Sequence, residues 1–369
     1  MMANGSLTYA PYDPDRDGEI HRLFQEYHFK DHQLRFMGVS KERMVAYLEK
    51  TLNQPEVCSI CMREGDQLLG LISVKSLPWL SRHFGFRMYA VTHLLARGEN
   101  PLIQARLLRY VMEETPQVDF LDCRVAVDDV ISAHALEICG FRYVGAEMYL
   151  GQHVTPGGSP GPKKGIEIRP FRSDRDQDQI LSIAGEIHIH NRFSYDPYVQ
   201  EQTAKSLYSL MVTHCFDHDH FRSAVAVSGG KIKGFIIAKV NPEFSRSVGQ
   251  SCGSLDFIGV LPEFRHWGLG RLLNRWALHH LAREGIAFTA VRTMASNYPA
   301  LTVCLNTGFR VTSSSLHFHK WVARPKQAPQ VLPSFESFSL KNIFPETIFS
   351  SPPAVTGGSP ENASCATAV

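Results

Sequence analysis

Apolar positions along this chain repeat with two periods, and the switch between them is sharpest from residue 255 to residue 305. Leu255 to Val260 reads as a strand-like apolar run. After a short loop, Leu269, Leu272, Leu273, Trp276, Ala277 and Leu281 recur at helical spacing, and Gly285 offers a natural stop just past that helix. A second strand-like run, Phe288 to Met294, follows. Helical spacing then places Leu301, Cys304 and Leu305 on one inward face. The predicted order is strand, loop, helix, strand, helix.

The same plan occurs twice. Pro11 to Asp17 matches Pro170 to Asp176, each between a short strand and an amphipathic helix. Leu69 to Val74 matches Lys233 to Ala238, and Asp129 with Gly140-Phe141 parallels Asn297 with Gly308-Phe309. Similar features at one long offset imply two copies of one domain. Residues 1–150 form the first copy and 166–324 the second. The Pro/Gly-rich stretch 151–165 reads as a linker without regular structure. Residues 325–369, rich in proline and serine, read as a low-complexity, largely disordered tail.

The loop between the Leu255 strand and its helix carries chemistry. Arg265, His266, Trp267, Gly268, Leu269, Gly270 and Arg271 lead into a helix start, where unpaired amides and the macrodipole favour an anion. Gly268 and Gly270 let a phosphate approach the backbone, and Arg265 and Arg271 add charge. The spacing is neither that of a Walker loop nor a Rossmann fingerprint. The first copy has Arg97-Gly98-Glu99-Asn100-Pro101 at this place. An acidic residue and a proline without an amide donor argue against pyrophosphate there.

Arg265-x-x-Gly268-x-Gly270, followed by Asn297-Tyr-Pro-Ala300 and Gly308-Phe309, resembles the GNAT (Gcn5-related N-acetyltransferase) superfamily over roughly residues 166–322. The resemblance implies an α/β (α+β) fold of two tandem GNAT-like domains, each a mixed, mostly antiparallel twisted sheet flanked by helices. It implies acetyl-CoA as cosubstrate. Main-chain groups of Phe257, Ile258, Gly259 and Val260 would bond the pantetheine and polarise the acetyl oxygen, and Asn297 would bind the coenzyme arm. The family's usual general acid, a tyrosine seven residues after the asparagine, is here Cys304. That cysteine is either an acid or a packed thiol. Asp256, Glu263 or a water chain would act as base.

Composition narrows the classes. A net charge of +2 over 369 residues speaks against a nucleic-acid binder. No apolar run is long enough for a spanning helix and the first residues lack a signal-peptide pattern, so a cytoplasmic protein, monomer or homodimer, is expected. Scattered cysteines suit buried reduced thiols, Cys58-x-x-Cys61 included, and no metal-ligand spacing appears among the histidines.

For the acceptor, Trp79 to Phe86 and Arg192-Phe193-Ser194-Tyr195-Asp196 resemble segments of the dTDP-fucosamine (dTDP-4-amino-4,6-dideoxygalactose) N-acetyltransferase group. That resemblance implies transfer of acetyl to a small-molecule primary amine on a nucleotide-linked sugar. Arg192 would hold a diphosphate, and Phe193 and Tyr195 would stack on a base or sugar. Equally open from the residues, Arg192 is a surface charge and the aromatics are core. A protein or peptide amine acceptor, or a non-enzymatic acyl-CoA-binding module, are the alternatives.

Overall fold

The computed structural model describes residues 6–15, 18–27, 32–115, 118–155, 161, 163, 165–187, 191–216 and 218–323. The tail 325–369 therefore lies outside the described residues. The first half runs β1 (Leu7–Pro11), α1 (Glu19–Glu26), α2 (His32–Phe36), α3 (Lys41–Leu52), β2 (Val57–Glu64), β3 (Gln67–Ser76), α4 (Pro78–Phe84), β4 (Met88–Ala96), α5 (Pro101–Glu114), β5 (Phe120–Ala126), α6 (Val130–Ile138), β6 (Arg142–His153). The second half repeats it: β7 (Glu167–Pro170), α7 (Ser173–Glu186), α8 (Glu201–Phe216), β8 (Phe221–Ser228), β9 (Lys231–Val240), α9 (Pro242–Val248), β10 (Cys252–Val260), α10 (Leu269–Arg283), β11 (Phe288–Met294), α11 (Tyr298–Leu305), β12 (Arg310–Trp321). A 3₁₀ turn over Arg192–Tyr195 stands where the first half has α2. The predicted stop of α10 is correct, with Gly285 in the left-handed region at φ 78°.

Among the described residues the strands join one sheet of 12, in the order β1-β2-β3-β4-β5-β12-β6-β11-β10-β9-β8-β7. The two halves have exchanged their last strands. β12, the end of the second half, pairs with β5 of the first, while β6 pairs with β11 of the second. β6 and β12 then pair with each other, antiparallel, at the middle of the sheet. The reading of 151–165 as linker needs a correction at its start, because Gly151, Gln152 and His153 continue β6 and pair with Ala290, Thr289 and Phe288. Strand β6 has to extend that far to reach the full length of β11.

Helices cover both faces. On one face α5 and α6 pack on the first half around Leu107, Leu108, Leu121 and Phe141, and α10 and α11 on the second around Leu269, Leu273, Trp276 and Phe309. On the other, α1 to α3 and α7 with α8 do the same. Two clusters on this second face cross between the halves: Val248, Cys252 and Phe288 join the α1–α3 core, and Phe193, Val199 and Leu207 join Met88 and Phe120. Within β2, Cys61 is buried and Cys58 exposed, as alternation on a strand requires, so the CxxC holds no shared site.

The exchange has a direct consequence for the domain boundaries. Residues 1–155 and 161–323 expressed separately should each be insoluble or molten, since each lacks its own terminal strand's partner. Coexpressed, they should copurify and melt cooperatively. A stably folded, monomeric 1–155 fragment would show that the exchanged strands are dispensable.

Candidate acetyl-transfer site

Two local features open the sheet in the second half. β10 and β11 run parallel and pair only over Cys252–Ser254 and Phe288–Ala290, then part. On its other side, β10 shifts register against β9 between Leu255 and Phe257, which leaves Asp256 as the extra residue of a bulge. A bulge bends its strand and sharpens the twist. Strand amides alternate between neighbours, so those of the Phe257–Val260 stretch that do not face β9 face the opening. Gly259 fits because a Cβ there would lie 2.5 Å from the side chains of Ile187 and Phe235.

The start of α10 lies beside this opening. Gly268 is its N-cap, left-handed at φ 74°, and its side provides no capping side chain. His266 is also left-handed, at φ 66°, a conformation costly for a residue with a Cβ. First-turn amides of a helix have no partner within it, so those of Leu269, Gly270 and Arg271 are available to an anion. Leu269 itself is buried and contributes only its backbone. Two cations flank the glycine: a Cβ on Gly268 would lie 3.6 Å from Arg271 Nη2 and 3.9 Å from Lys163 Nζ. Lys163, in the stretch read as linker, was invisible to the motif. Arg265 is turned back, its Nε donating to Val260 O at 3.4 Å, and Trp267 is largely exposed beside Phe264. Gly270 faces Val303 and Ile258, with 3.3 and 3.7 Å to a would-be Cβ, so its smallness also serves helix packing.

Asn297 caps α11. Its Oδ1 accepts from Ala300 N at 3.3 Å and its Nδ2 donates to Thr293 Oγ1 at 3.0 Å, which engages both ends of the amide locally. Cys304 is buried against α10 in the cluster of Leu269, Leu273 and Trp276, with Asn274 Nδ2 at 3.9 Å from its Sγ. Burial pushes this thiol up to about 11. Leu305, expected beside it, is instead half exposed. Asp256 keeps one side to solvent but is otherwise hemmed in. That desolvation raises its carboxyl above the ordinary range, against the opposing pull of Ser254, Lys239 and Arg292.

The first half carries the same opening, closed. β4 and β5 pair only over Met88–Val91 and Phe120–Cys123, and the register of β4 shifts so that Thr92 is the extra residue, as Asp256 is in β10. Leu107 and Leu273 pack on the equivalent strand glycines Gly70 and Gly234, so Gln104 stands where α10 has Gly270. Its buried amide donates to Leu94 O at 3.2 Å and Ser132 Oγ at 2.8 Å, which ties strand to α6 across the gap. The Tyr27 hydroxyl donates to Asp129, the counterpart of Asn297. Asn100 Oδ1 already accepts from Leu102 N at the helix start.

Of the three acceptor residues expected from sequence, two are corrected. Arg192 is bound to Asp122, 2.9 Å from Nε and 2.7 Å from Nη2, and lies over the Phe193 ring. Phe193 is 1% exposed in the core that crosses between the halves, where the 3₁₀ turn sets it against Met88 and Phe120 at the starts of β4 and β5. Tyr195 remains part-exposed, its hydroxyl 3.3 Å from Ser296 Oγ.

Asp122 belongs to a network that the sequence reading missed. On β12, His317 and His319 alternate along one face. His317 Nε2 lies 3.1 Å from Glu147 of β6, and His319 Nδ1 lies 2.8 Å from Asp196, which also accepts from Trp321 Nε1 at 3.2 Å. Burial alone would raise both Asp122 and Glu147. Arg192 and the two histidines outweigh it at Asp122, and His317, Arg292 and Arg124 do so at Glu147, so each sits at about 2. Burial lowers His317 in spite of its carboxylate partner. The period-two pattern His317, His319, Trp321 was a signal in the sequence; its partners were not.

These shifts give a stability prediction. All three groups are depressed in the fold, so their contribution is present above the unfolded values and lost as pH falls. The melting temperature should decline as pH drops below about 6.5, where His317 would titrate unfolded, and steeply from about 4.3 to about 2. Glu147→Gln should flatten the lower slope. A melting temperature constant from pH 7 to 3 would contradict the network.

Comparison with known proteins agrees with this geometry. Residues 186–309 match the acetyltransferase (GNAT) family. A mycothiol acetyltransferase of a Nocardioides species is 28% identical over 160 residues, covering 42% of this chain and 52% of that protein. One of Streptomyces griseus is 31% identical over 148 residues, 40% of this chain and 43% of its own length. The chain thus spans about half the length of the curated relatives it matches. These relatives carry the mycothiol acetyltransferase name, not that of the dTDP-fucosamine group which the Trp79 and Arg192 segments resemble. Among solved structures, a GCN5-related N-acetyltransferase from Sphaerobacter thermophilus superposes with TM-score 0.57 at 13% identity, over 88% of this chain and 98% of that one. A tandem GNAT protein from the clavulanic acid pathway matches with TM-score 0.50 at 16% identity, over 86% and 99%.

Proposed function

We propose that this chain, a tandem protein of the GNAT superfamily, transfers acetyl from acetyl-CoA to a small-molecule primary amine, and does so in its second half only. The observation that carries the reading is the β10–β11 opening set beside the α10 start, with Lys163 and Arg271 over Gly268. Such a helix start suits a pyrophosphate, and the opening offers strand amides at the depth a pantetheine arm would reach. The equivalent opening of the first half is filled by Gln104.

The reaction itself asks for a neutral amine, a polarised carbonyl and a stabilised leaving thiolate. The amine nitrogen bonds to the acetyl carbon, the carbon–sulfur bond breaks, and the ammonium proton leaves to a base. Asp256, on the bulge at the mouth of the opening, is our choice for that base, directly or through water. Its raised carboxyl makes it a better proton acceptor than an ordinary aspartate. Cys304 is a poor acid in this arrangement, because its thiol points into the α10–α11 core. Departing thiolate would then take its proton from solvent.

Relatives named mycothiol acetyltransferase favour a small-molecule acceptor over a protein one. Arginines on the sheet face next to the opening also speak against a basic peptide. A nucleotide-linked amino sugar remains one acceptor to test, although Arg192 would have to leave Asp122 to hold its diphosphate. We expect a cytoplasmic protein; among the described residues no helix is long and apolar enough to cross a membrane.

Calorimetry should give one acetyl-CoA per chain. Lys163→Ala and Arg271→Ala should each weaken binding about tenfold, the loss of one charge-assisted phosphate contact, with the melting temperature preserved. A stoichiometry of two, or unaltered affinity in the double variant, would refute the site. Release of free coenzyme A with a panel of amines separates an enzyme from a mere acyl-CoA binder.

Asp256→Asn should lower kcat/KM by roughly a hundredfold and abolish the acid limb of the pH–rate profile. A base works deprotonated, so in the wild type that limb should fall as pH drops through a value above the usual aspartate range. Cys304→Ala should keep turnover within a few-fold while costing on the order of 1 kcal/mol of stability. Loss of two orders of magnitude in Cys304→Ala would restore the acid role.

A further inference from the structure

The pseudo-twofold axis of the sheet passes between β6 and β12, where Glu147 and Ser315 are direct partners. Arg124 on β5 and Arg292 on β11 occupy equivalent positions in the two copies. The strand exchange brings both to Glu147, one from each side. Arg124 Nη1 lies 3.4 Å from Oε2, and Arg292 Nε lies 3.4 Å from Oε1. Both contacts are longer than a good charge-assisted hydrogen bond. Arg124 also donates to the Tyr149 hydroxyl at 2.7 Å.

At Glu147 a single carboxylate answers two guanidinium groups. Among the described residues, neither guanidinium has a second carboxylate within ion-pairing distance, and their side chains are 42% and 51% exposed against 10% for Glu147. Neighbouring groups are already engaged: Arg192 on Asp122, and Asp196 by the His319 imidazole and the Trp321 indole. His317 is held toward its neutral form by burial. One carboxylate thus faces two open arginine forks. Directly opposite it, on the same face, the Ser315 hydroxyl is buried and has no hydrogen-bond partner. Arg292 sits on the strand that borders the opening, and Glu147 on the next.

We infer that the acceptor carries an acidic group, a carboxylate or phosphate, which Arg124 and Arg292 bind as a pair while its amine sits at Asp256. The amine and the acid would be separated by one to two strand spacings, about 5–10 Å. Planar guanidinium forks suit both acids bidentately. Each arginine comes from a different half, so the first half, closed to coenzyme A, supplies part of the acceptor site. The inference rests on the acetyltransferase reading and specifies the substrate class of that same site.

The test uses the full chain with saturating coenzyme A, so that binding is read without turnover. Two matched pairs serve as probes: glucosamine 6-phosphate against glucosamine, and 6-aminohexanoate against its amide. At least one acid should bind tenfold or more tighter than its neutral counterpart, and the pair that shows it tells phosphate from carboxylate. Raising salt should erode that preference. Arg124→Gln with Arg292→Gln should abolish it, seen in turnover as a raised KM for the acidic member, while coenzyme A affinity stays at the wild-type value. Should the double variant fail to fold, the two Arg→Lys variants must each reduce the preference without lowering the melting temperature. Equal binding of acid and neutral members in the wild type, or a preference that survives the substitutions, overturns the inference. If coenzyme A binds one to one in either case, the acetyltransferase reading stands alone; absence of coenzyme A binding would defeat that reading instead.

Discussion

The pairing of β12 with β6 at the centre of the sheet is the constraint from which the rest follows. Each strand is the last of its half, and each has one neighbour from the other half. Backbone hydrogen bonds of a central strand must be satisfied on both edges, so with the strands exchanged each half completes the other's sheet. Helices follow the strands across: α9 packs on α3 through Phe244 and Tyr47, and His83 of α4 reaches Thr203 of α8. Two copies of one domain have thereby become a single folding unit, and the residues nearest the axis belong to both.

Duplication left the two openings in register but chemically unlike. Where α10 has Gly270, α5 has Gln104; where β10 bulges at Asp256, β4 bulges at Thr92; Asn297 answers to Asp129. A glutamine whose amide is buried and bonded to both walls of the first opening cannot leave without orphaning Leu94 O and Ser132. That opening is held shut by the same kind of hydrogen bond that a pantetheine arm would need. One half keeps a gap that bears ligand chemistry, and the other has converted its gap into core.

Much of this was legible in the sequence. The strand–loop–helix around Arg265 to Arg271, the end of α10 at Gly285 and the repeat of one plan all follow from local periodicity and turn chemistry, which sequence carries directly. The strand exchange does not, because β5 beside β12 is a relation between residues almost two hundred positions apart with no local signature. Everything that depends on it was hidden for the same reason: Asp122 as the partner of Arg192, and Glu147 between two arginines. Stacking platform and core residue are equally open for Phe193 in the sequence, because an aromatic next to an arginine looks the same in a core and at a site. The short segments compared with the nucleotide-sugar group matched in letters, but the fold spends Arg192 on an ion pair with Asp122 and Phe193 on its core.

The buried network deserves its place for register rather than for stability. Taking Asp122, Glu147, Asp196 and two histidines out of water is costly, and well-packed apolar side chains of similar size would hold the seam at least as well. What apolar residues would not do is choose an alignment. The opposite faces of β5, β6 and β12 carry Cys123, Leu150 and Phe318 into the α5–α6 and α10–α11 cores. A slip of one residue would turn those outward and drive Asp122, Glu147 and His317 into the apolar layers. With two nearly equivalent terminal strands competing for β5, each half could pair with its own strand or its sibling's. His317 lies between Asp122 and Glu147, and His319 between Asp122 and Asp196, only when β12 is the strand inserted. In β6 the positions corresponding to His317 and His319 are Tyr149 and Gly151, which offer Asp122 no imidazole. The polar seam therefore discriminates between the two pairings, and through that choice it sets where Arg124 and Arg292 come to rest.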